Sequence, residues 1–284
     1  MPSLLDIRRR IRSVKNTQQL TKAMKTVSAA KLRRAQERVV SARPYANQLR
    51  HVLGGLAGRI ENIAHPLLDV RPEKRILLLI VTGDRGLCGG FNSNLTKAGQ
   101  IFLRQHAQED VQVFAAGKKG RDFFRRRNAN IVGEYTNFFS KLDVSHAKDI
   151  ARQVMELYSK AEVDAVYVAY NEFKSAIQQR IVVEKLLPFG RADLQDAPSG
   201  VEYIFEQPPQ EIFDRLLPRY VEVEVYRALL ESAAAEHGAR MAAMDAASRN
   251  AGEMIESLTL NMNRVRQAAI TREIIEVVSG AGAQ

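Results

Sequence analysis

The residues with most chemical potential lie in one glycine-rich stretch, residues 82–92, TGDRGLCGGFN. It follows a strand-like apolar run and precedes a helical stretch, where a doubly wound α/β fold places a phosphate-binding turn. The spacing fits neither GxGxxG with a distal acid nor GxxxxGK followed by Ser or Thr, and Asp84 would oppose a phosphate. The better reading is structural: glycines let the chain turn tightly, and Asp84 and Arg85 pair or contact a neighbour. His51, His65, His106, His146 and His237 are scattered, with no HExxH or similar pair. Cys88 is the only cysteine and has no local histidine, so it reads as a small residue in a tight loop. No catalytic residue, cofactor or metal site is expected.

The second chemical feature is charge. The chain has 284 residues, with 42 Lys or Arg against 32 Asp or Glu, a net +10. Residues 1–50 hold 13 cations against Asp6 and Glu37, a net of +11, while residues 227–284 hold six Arg against seven acids, a net of −1. A solvated helix face mixes both signs, so a one-sign helix runs close to something acidic. The cluster Arg8, Arg9, Arg10, Arg12 and Lys15, continued by Lys31, Arg33, Arg34 and Arg38, suits nucleic acid electrostatically. No aromatic interleaves it before Tyr45, so base stacking is unsupported.

These features are carried by three zones: residues 1–58, 70–205 and 209–284. The first has one proline, Pro44, and no glycine before Gly54. Leu4, Ile7, Ile11 and Val14, then Leu20, Met24, Val27 and Ala30, form its apolar stripe, on a helix of roughly 60 Å from Ser3 to about Arg43. In the last zone Leu230, Ala234, His237, Met241, Met244, Ser248, Ala251, Ile255, Leu258, Met262, Val265 and Ala269 advance by alternating fours and threes. That is a coiled-coil seam, the alternative being a core helix of an ordinary bundle. Pro218 is expected to break or kink the helix, starting a clean shaft near Arg219 of roughly 90 Å. The two terminal helices are expected to pair antiparallel.

The middle zone reads as α/β. Residues 76–82, 111–116 and 165–169 are apolar runs of strands buried on both faces, separated by helical stretches 94–108 and 144–160. The alternation implies a parallel, doubly wound sheet. Residues 180–187 add a further strand, antiparallel as one option, and 188–200 form a surface loop. No run of 18 apolar residues exists to span a membrane, and the polar stretch 13–19 denies a signal peptide its apolar core. The chain is expected to stay inside the cell.

Residues 7–36, IRRRIRSVKNTQQLTKAMKTVSAAKLRRAQ, the loop TGDRGLCGGFN and residues 263–280, NRVRQAAITREIIEVVSG, together closely resemble the gamma-subunit family of bacterial F-type ATP synthases. The family's loop usually carries Ser where Gly83 stands, and a bulkier apolar residue where Thr26 stands. The cysteine-bearing regulatory insertion of chloroplast members is absent. The resemblance implies an antiparallel coiled coil plus a central Rossmann-like domain. It implies one copy per complex, acting as central rotor shaft inside a ring of alpha and beta subunits, with epsilon and the membrane c-ring at its base. It implies a peripheral place on the cytoplasmic face of the inner membrane, no catalysis by the chain itself and no nucleic acid. By residue, it places Arg240, Gln267, Thr271, Met24 and Lys25 against the beta subunit, and Tyr203, Phe205 and Glu206 near epsilon and the c-ring. The residue-level alternatives are a basic coiled-coil nucleic-acid-binding protein and a Rossmann-like nucleotide enzyme with helical extensions.

Overall fold

The computed structural model describes residues 3–57, 65–175, 178–189 and 209–281. Two helices dominate: α1, Leu4–Ala57, of 54 residues, and α5, Pro209–Ala281, of 73 residues. At 1.5 Å per residue they run about 80 and 110 Å. Both exceed the sequence expectation, because Pro44 and Pro218 lie inside them. An interior proline removes one backbone hydrogen bond and costs about 3 kcal/mol, which a helix held by packing can absorb. Around Pro218 that packing is dense: Phe213, Leu217, Tyr220 and Val221 are all buried.

The chain divides into two compact units, Met1–Ser28 with Arg240–Gln284, and Ala29–Ala239. The first is a pair of antiparallel helical stretches. Gln18 Nε2 donates to the Ser248 carbonyl at 3.3 Å, and Lys25 Nζ meets Asp245 Oδ1 at 2.6 Å. As numbering rises on α1 it falls on α5. The α5 seam is as its spacing predicts: from Met241 to Ala269 each seam position is buried or half-buried.

The α1 stripe departs from expectation after Val14. Leu20 and Val27 are 61% and 55% exposed, and Ala30 is exposed as well. The three-four progression continues instead through Gln18, Thr21 and Ser28, the last two buried. Two of these polar groups are tolerable because they are hydrogen-bonded: Gln18 Nε2 donates to the Ser248 carbonyl, and Thr21 Oγ1 to the Gln18 carbonyl at 3.0 Å.

The second unit holds a five-stranded sheet in the order β3-β2-β1-β4-β5. Its strands are β1 Arg75–Val81, β2 Asp110–Ala116, β3 Ile131–Tyr135, β4 Ala165–Phe173 and β5 Gln179–Leu187. The first four are parallel, and β5 pairs antiparallel with β4. Every β1 residue after Arg75 is buried, as a central strand covered on both faces requires. Helices α2 Phe91–Gln105, α3 Lys118–Arg125 and α4 Val144–Ser159 make the crossovers. Ile76, Leu78 and Ile80 pack with Leu95 and Phe102 of α2 and Phe124 of α3. Alternation sends Leu77 and Leu79 to the opposite face. Sequence reasoning passed over β3 and α3, while residues 188–200 fall mostly outside the described residues.

Candidate functional site

The signature loop is a knot tied by its own side chains. Asp84 is its hub: Oδ1 accepts from the backbone N–H of Lys118 at 3.0 Å and of Asn137 at 2.9 Å, and Oδ2 from that of Phe139 at 3.2 Å. One carboxylate thus satisfies the N-terminus of α3 and the turn after β3, so an anion would find its place taken. Asn92 Oδ1 accepts from the Gly83 N–H at 2.9 Å, and its Nδ2 donates to the Arg85 carbonyl at 3.2 Å and Cys88 Sγ at 3.1 Å. Thr82 Oγ1 accepts from the Gly120 N–H at 2.8 Å. Gly117 is required: its φ is 108°, and a Cβ would stand 2.0 Å from the Thr82 carbonyl oxygen.

Gly83 faces α5, and a Cβ there would lie 3.0 Å from Glu236 Oε1. At Gly83 the loop therefore abuts the long helix. Asp84 contacts neighbours, as expected, but through backbone donors rather than Arg85.

A second cluster joins α1, α5 and the sheet, and sequence reasoning missed it. Glu231 is 4% exposed. Its Oε1 accepts from Arg43 Nε at 3.0 Å and Nη2 at 2.8 Å, while Oε2 accepts from the Phe173 N–H at 2.9 Å. One turn-pair earlier on α5, buried Glu224 meets Arg50 Nη2 at 3.1 Å and Arg227 Nη2 at 2.8 Å. Arg227 also reaches Glu184 Oε1 at 3.0 Å, and Arg50 Nε donates to the Tyr220 hydroxyl at 3.1 Å. Burial pushes the Tyr220 phenol up to about 12. The overlooked signal was spacing. Arg43 and Arg50 stand seven apart on one helix, and Glu224 and Glu231 seven apart on the other, as interhelical charge pairs do.

Of the residues assigned to the beta subunit, Gln267 and Thr271 are exposed on α5, one turn apart, with Thr271 Oγ1 donating to the Gln267 carbonyl at 2.9 Å. Arg240 is half-buried and has contacts of its own. Met24 is half-buried, and Lys25 is held by Asp245. Tyr203, Phe205 and Glu206 lie outside the described residues. Towards its C-terminal end α5 turns apolar residues outward: Ile270, Ile274, Ile275, Val277 and Val278 are 48–71% exposed. On α1 the cations Arg8, Arg9, Arg10, Arg12, Lys15 and Lys22 are all exposed. Among the described residues, no group of three or more His, Cys, Asp or Glu could hold a metal ion. No helix among them is long and apolar enough to cross a membrane.

Comparison with known proteins gives these surfaces a context. The ATP synthase family model matches residues 3–283. The chain is 56% identical to the ATP synthase gamma chain of Solibacter usitatus, covering 100% of this chain and 99% of that one. It is 50% identical to that of Pelotomaculum thermopropionicum, with the same coverage. Among solved structures it is similar to a chain of the Tetrahymena thermophila mitochondrial ATP synthase central stalk and c-ring. That match has 27% identity and a TM-score of 0.63, covering 81% of this chain and 99% of that one. A chain of the Euglena gracilis mitochondrial ATP synthase shares the fold at 19% identity, with a TM-score of 0.69, covering 99% and 94%. A full-length match of this strength, over a chain with paired terminal helices and a knotted signature loop, settles the assignment: the chain belongs to the ATP synthase gamma-chain family.

Proposed function

We propose that this chain is the central rotor shaft of an F-type ATP synthase. It couples proton movement through the membrane c-ring to ATP synthesis or hydrolysis in the alpha–beta head and performs no reaction itself. One observation carries the reading: the antiparallel helical pair turns isoleucines and valines outward at the end of α5 and a row of exposed arginines outward on α1. Exposed apolar side chains in series mark a surface that a partner covers, and the cations suit an acidic one. The two faces differ in character, so a ring of similar subunits around the pair meets a different surface at each position. A contact stronger in one conformation of a ring subunit shifts its population, and that differential affinity is the coupling. Each charge crossing the membrane supplies about 2.3 kcal/mol per 100 mV.

On this reading residues 1–58 and 209–284 form the shaft and 70–205 the domain at its base. Arg240, Gln267, Thr271, Met24 and Lys25 contact the beta subunit, with Tyr203, Phe205 and Glu206 near epsilon and the c-ring. The complex holds one copy, peripheral to the cytoplasmic face of the inner membrane. The nucleic-acid alternative is not favoured by membership of this family. The test is reconstitution of the complex in vesicles with Arg240→Glu. Reversal of an interfacial charge lowers the ratio of protons pumped to ATP hydrolysed. An unchanged ratio removes Arg240 from the contact set, and a complex that pumps normally without this chain overturns the proposal.

A further inference from the structure

Helices α2 and α3 follow neighbouring parallel strands and pack alongside one another, with an open groove of about 640 Å³ between them. That is the size of a cleft for a small ligand or short peptide segment. The walls carry five cations against one carboxylate. Lys97 and Arg104 project from α2, Lys119 from α3, and Arg126 and Arg127 from just beyond it. The lining carboxylate, Asp122, is already engaged by Arg121 Nη2 at 2.9 Å. Lys97, Arg104 and Lys119 form no ion pair among the described residues. By contrast, Arg121, Arg125, Arg152 and Lys185 of the same unit each hold a carboxylate.

The cations are spaced in a pattern. Lys97 and Arg104 are seven residues apart, as are Lys119 and Arg126, which is two helical turns or about 10 Å. Because both helices leave the same ends of parallel strands, Lys97 and Lys119 share one end of the groove, and Arg104 and Arg126 the other. The centre is apolar. Ile101 is 44% exposed there, and Phe123 is half-buried with the Arg127 guanidinium 3.7 Å over its ring. A nucleic-acid strand needs a continuous basic track with open stacking faces, whereas this track is interrupted and its one ring is capped. A nucleotide would use one cationic end and leave the other vacant.

We infer that the α2–α3 groove binds an acidic peptide segment of a partner polypeptide, with carboxylates at both ends and an apolar side chain against Ile101 and Phe123. In a polyproline II segment, carboxylates three residues apart lie on one face and span about 9 Å, matching the two cationic ends.

The probe is a fluorescent peptide, Glu-Glu-Leu-Phe-Glu-Glu, titrated against the full chain by anisotropy. The control, Leu-Phe-Glu-Glu-Glu-Glu, has the same composition and charge. The patterned peptide is expected to bind at least threefold more tightly than the control. Lys97→Gln with Arg104→Gln is expected to weaken it about tenfold and flatten its salt dependence. Ile101→Glu, an exposed change that leaves Lys97, Arg104, Lys119 and Arg126 in place, is expected to abolish the preference for the patterned peptide. Equal binding of the two peptides, or unchanged binding by both variants, overturns the proposal. Tighter groove-dependent binding of inorganic polyphosphate or of phosphatidylglycerol vesicles also overturns it, as the groove would then be a phosphate site.

Discussion

Removing the Glu231 carboxylate tests how the sheet grips the two long helices. In Glu231→Ala three bonds go at once: the two-pronged bond from Arg43 and the bond from the Phe173 N–H. A buried backbone donor left without an acceptor costs about 1–3 kcal/mol. Breaking a fully buried pair costs about 3–5 kcal/mol, but the Arg43 side chain is 45% exposed and can return to water, so most of that penalty is not incurred. The expected destabilisation is therefore about 2–4 kcal/mol, the backbone donor supplying the larger share. Glu231→Gln keeps one oxygen for Phe173 and loses the ionic partner, and should cost about half as much. The assay is a double-mutant cycle with Arg43→Ala in urea unfolding of the full chain, with hydrogen exchange read at the Phe173 amide. The cycle should give a coupling of about 1 kcal/mol, within the range for contacting residues, and Glu231→Ala should speed Phe173 exchange where Arg43→Ala does not. Additive single effects together with an unchanged Phe173 amide would refute the reasoning.

Gly117→Ala should cost at least about 1–3 kcal/mol for its backbone conformation alone, since its φ is 108° and the new Cβ would strike the Thr82 carbonyl oxygen; thermal unfolding within error of the parent would contradict this. Burial pushes Tyr158, Tyr167 and Tyr220 up to about 12, whereas an unfolded phenol titrates near 10. Their contribution to stability is complete below about pH 10 and lost as pH rises through about 12, so tyrosinate absorbance, uncomplicated because the chain has no Trp, should show a late phase coincident with unfolding. Removing residues from 275 onward takes away only exposed side chains among those described. It should change unfolding by less than about 0.5 kcal/mol while lowering the pumping-to-hydrolysis ratio of the assembled complex.

Much of this fold was legible because its signals are periodic. The α5 seam could be read because methionine, leucine and isoleucine recur on a three-four spacing over many turns. The central strands were visible as continuous apolar runs. The α1 stripe failed where the seam is polar: Gln18, Thr21 and Ser28 face inward, and a search for apolar residues jumps to Leu20 and Val27, which face outward. The prolines misled because propensity weighs one residue, whereas Pro218 is held by packing over the turns around it. Strand β3 was missed because its burial alternates with no apolar run, and α3 because eight residues containing a glycine carry too few turns to show a period. The site was half legible. Composition named the loop and the cationic face of α1, but nothing local marks Asp84 as the partner of Asn137 and Phe139, more than fifty residues away.

The two helical pairings use different physics. Within Met1–Ser28 and Arg240–Gln284 the seam is built largely of small or flexible residues, Ser248, Ala251, Met241 and Met262 among them, which bury little area each and tolerate sliding. Within Ala29–Ala239 the same two helices are held by Glu224 and Glu231 against Arg50 and Arg43. Buried charges contribute less to stability than their number suggests, but they discriminate strongly between registers. Slide α5 by one heptad and Arg43 meets Glu224 while Glu231 comes opposite Gln36, an uncompensated carboxylate in a buried place; slide it by half a heptad and both glutamates lose their partners. A shaft that transmits torque needs its two strands fixed in phase more than it needs them tightly bound. Within Ala29–Ala239 the polar clamp meets that need, because only one register pairs both glutamates with both arginines.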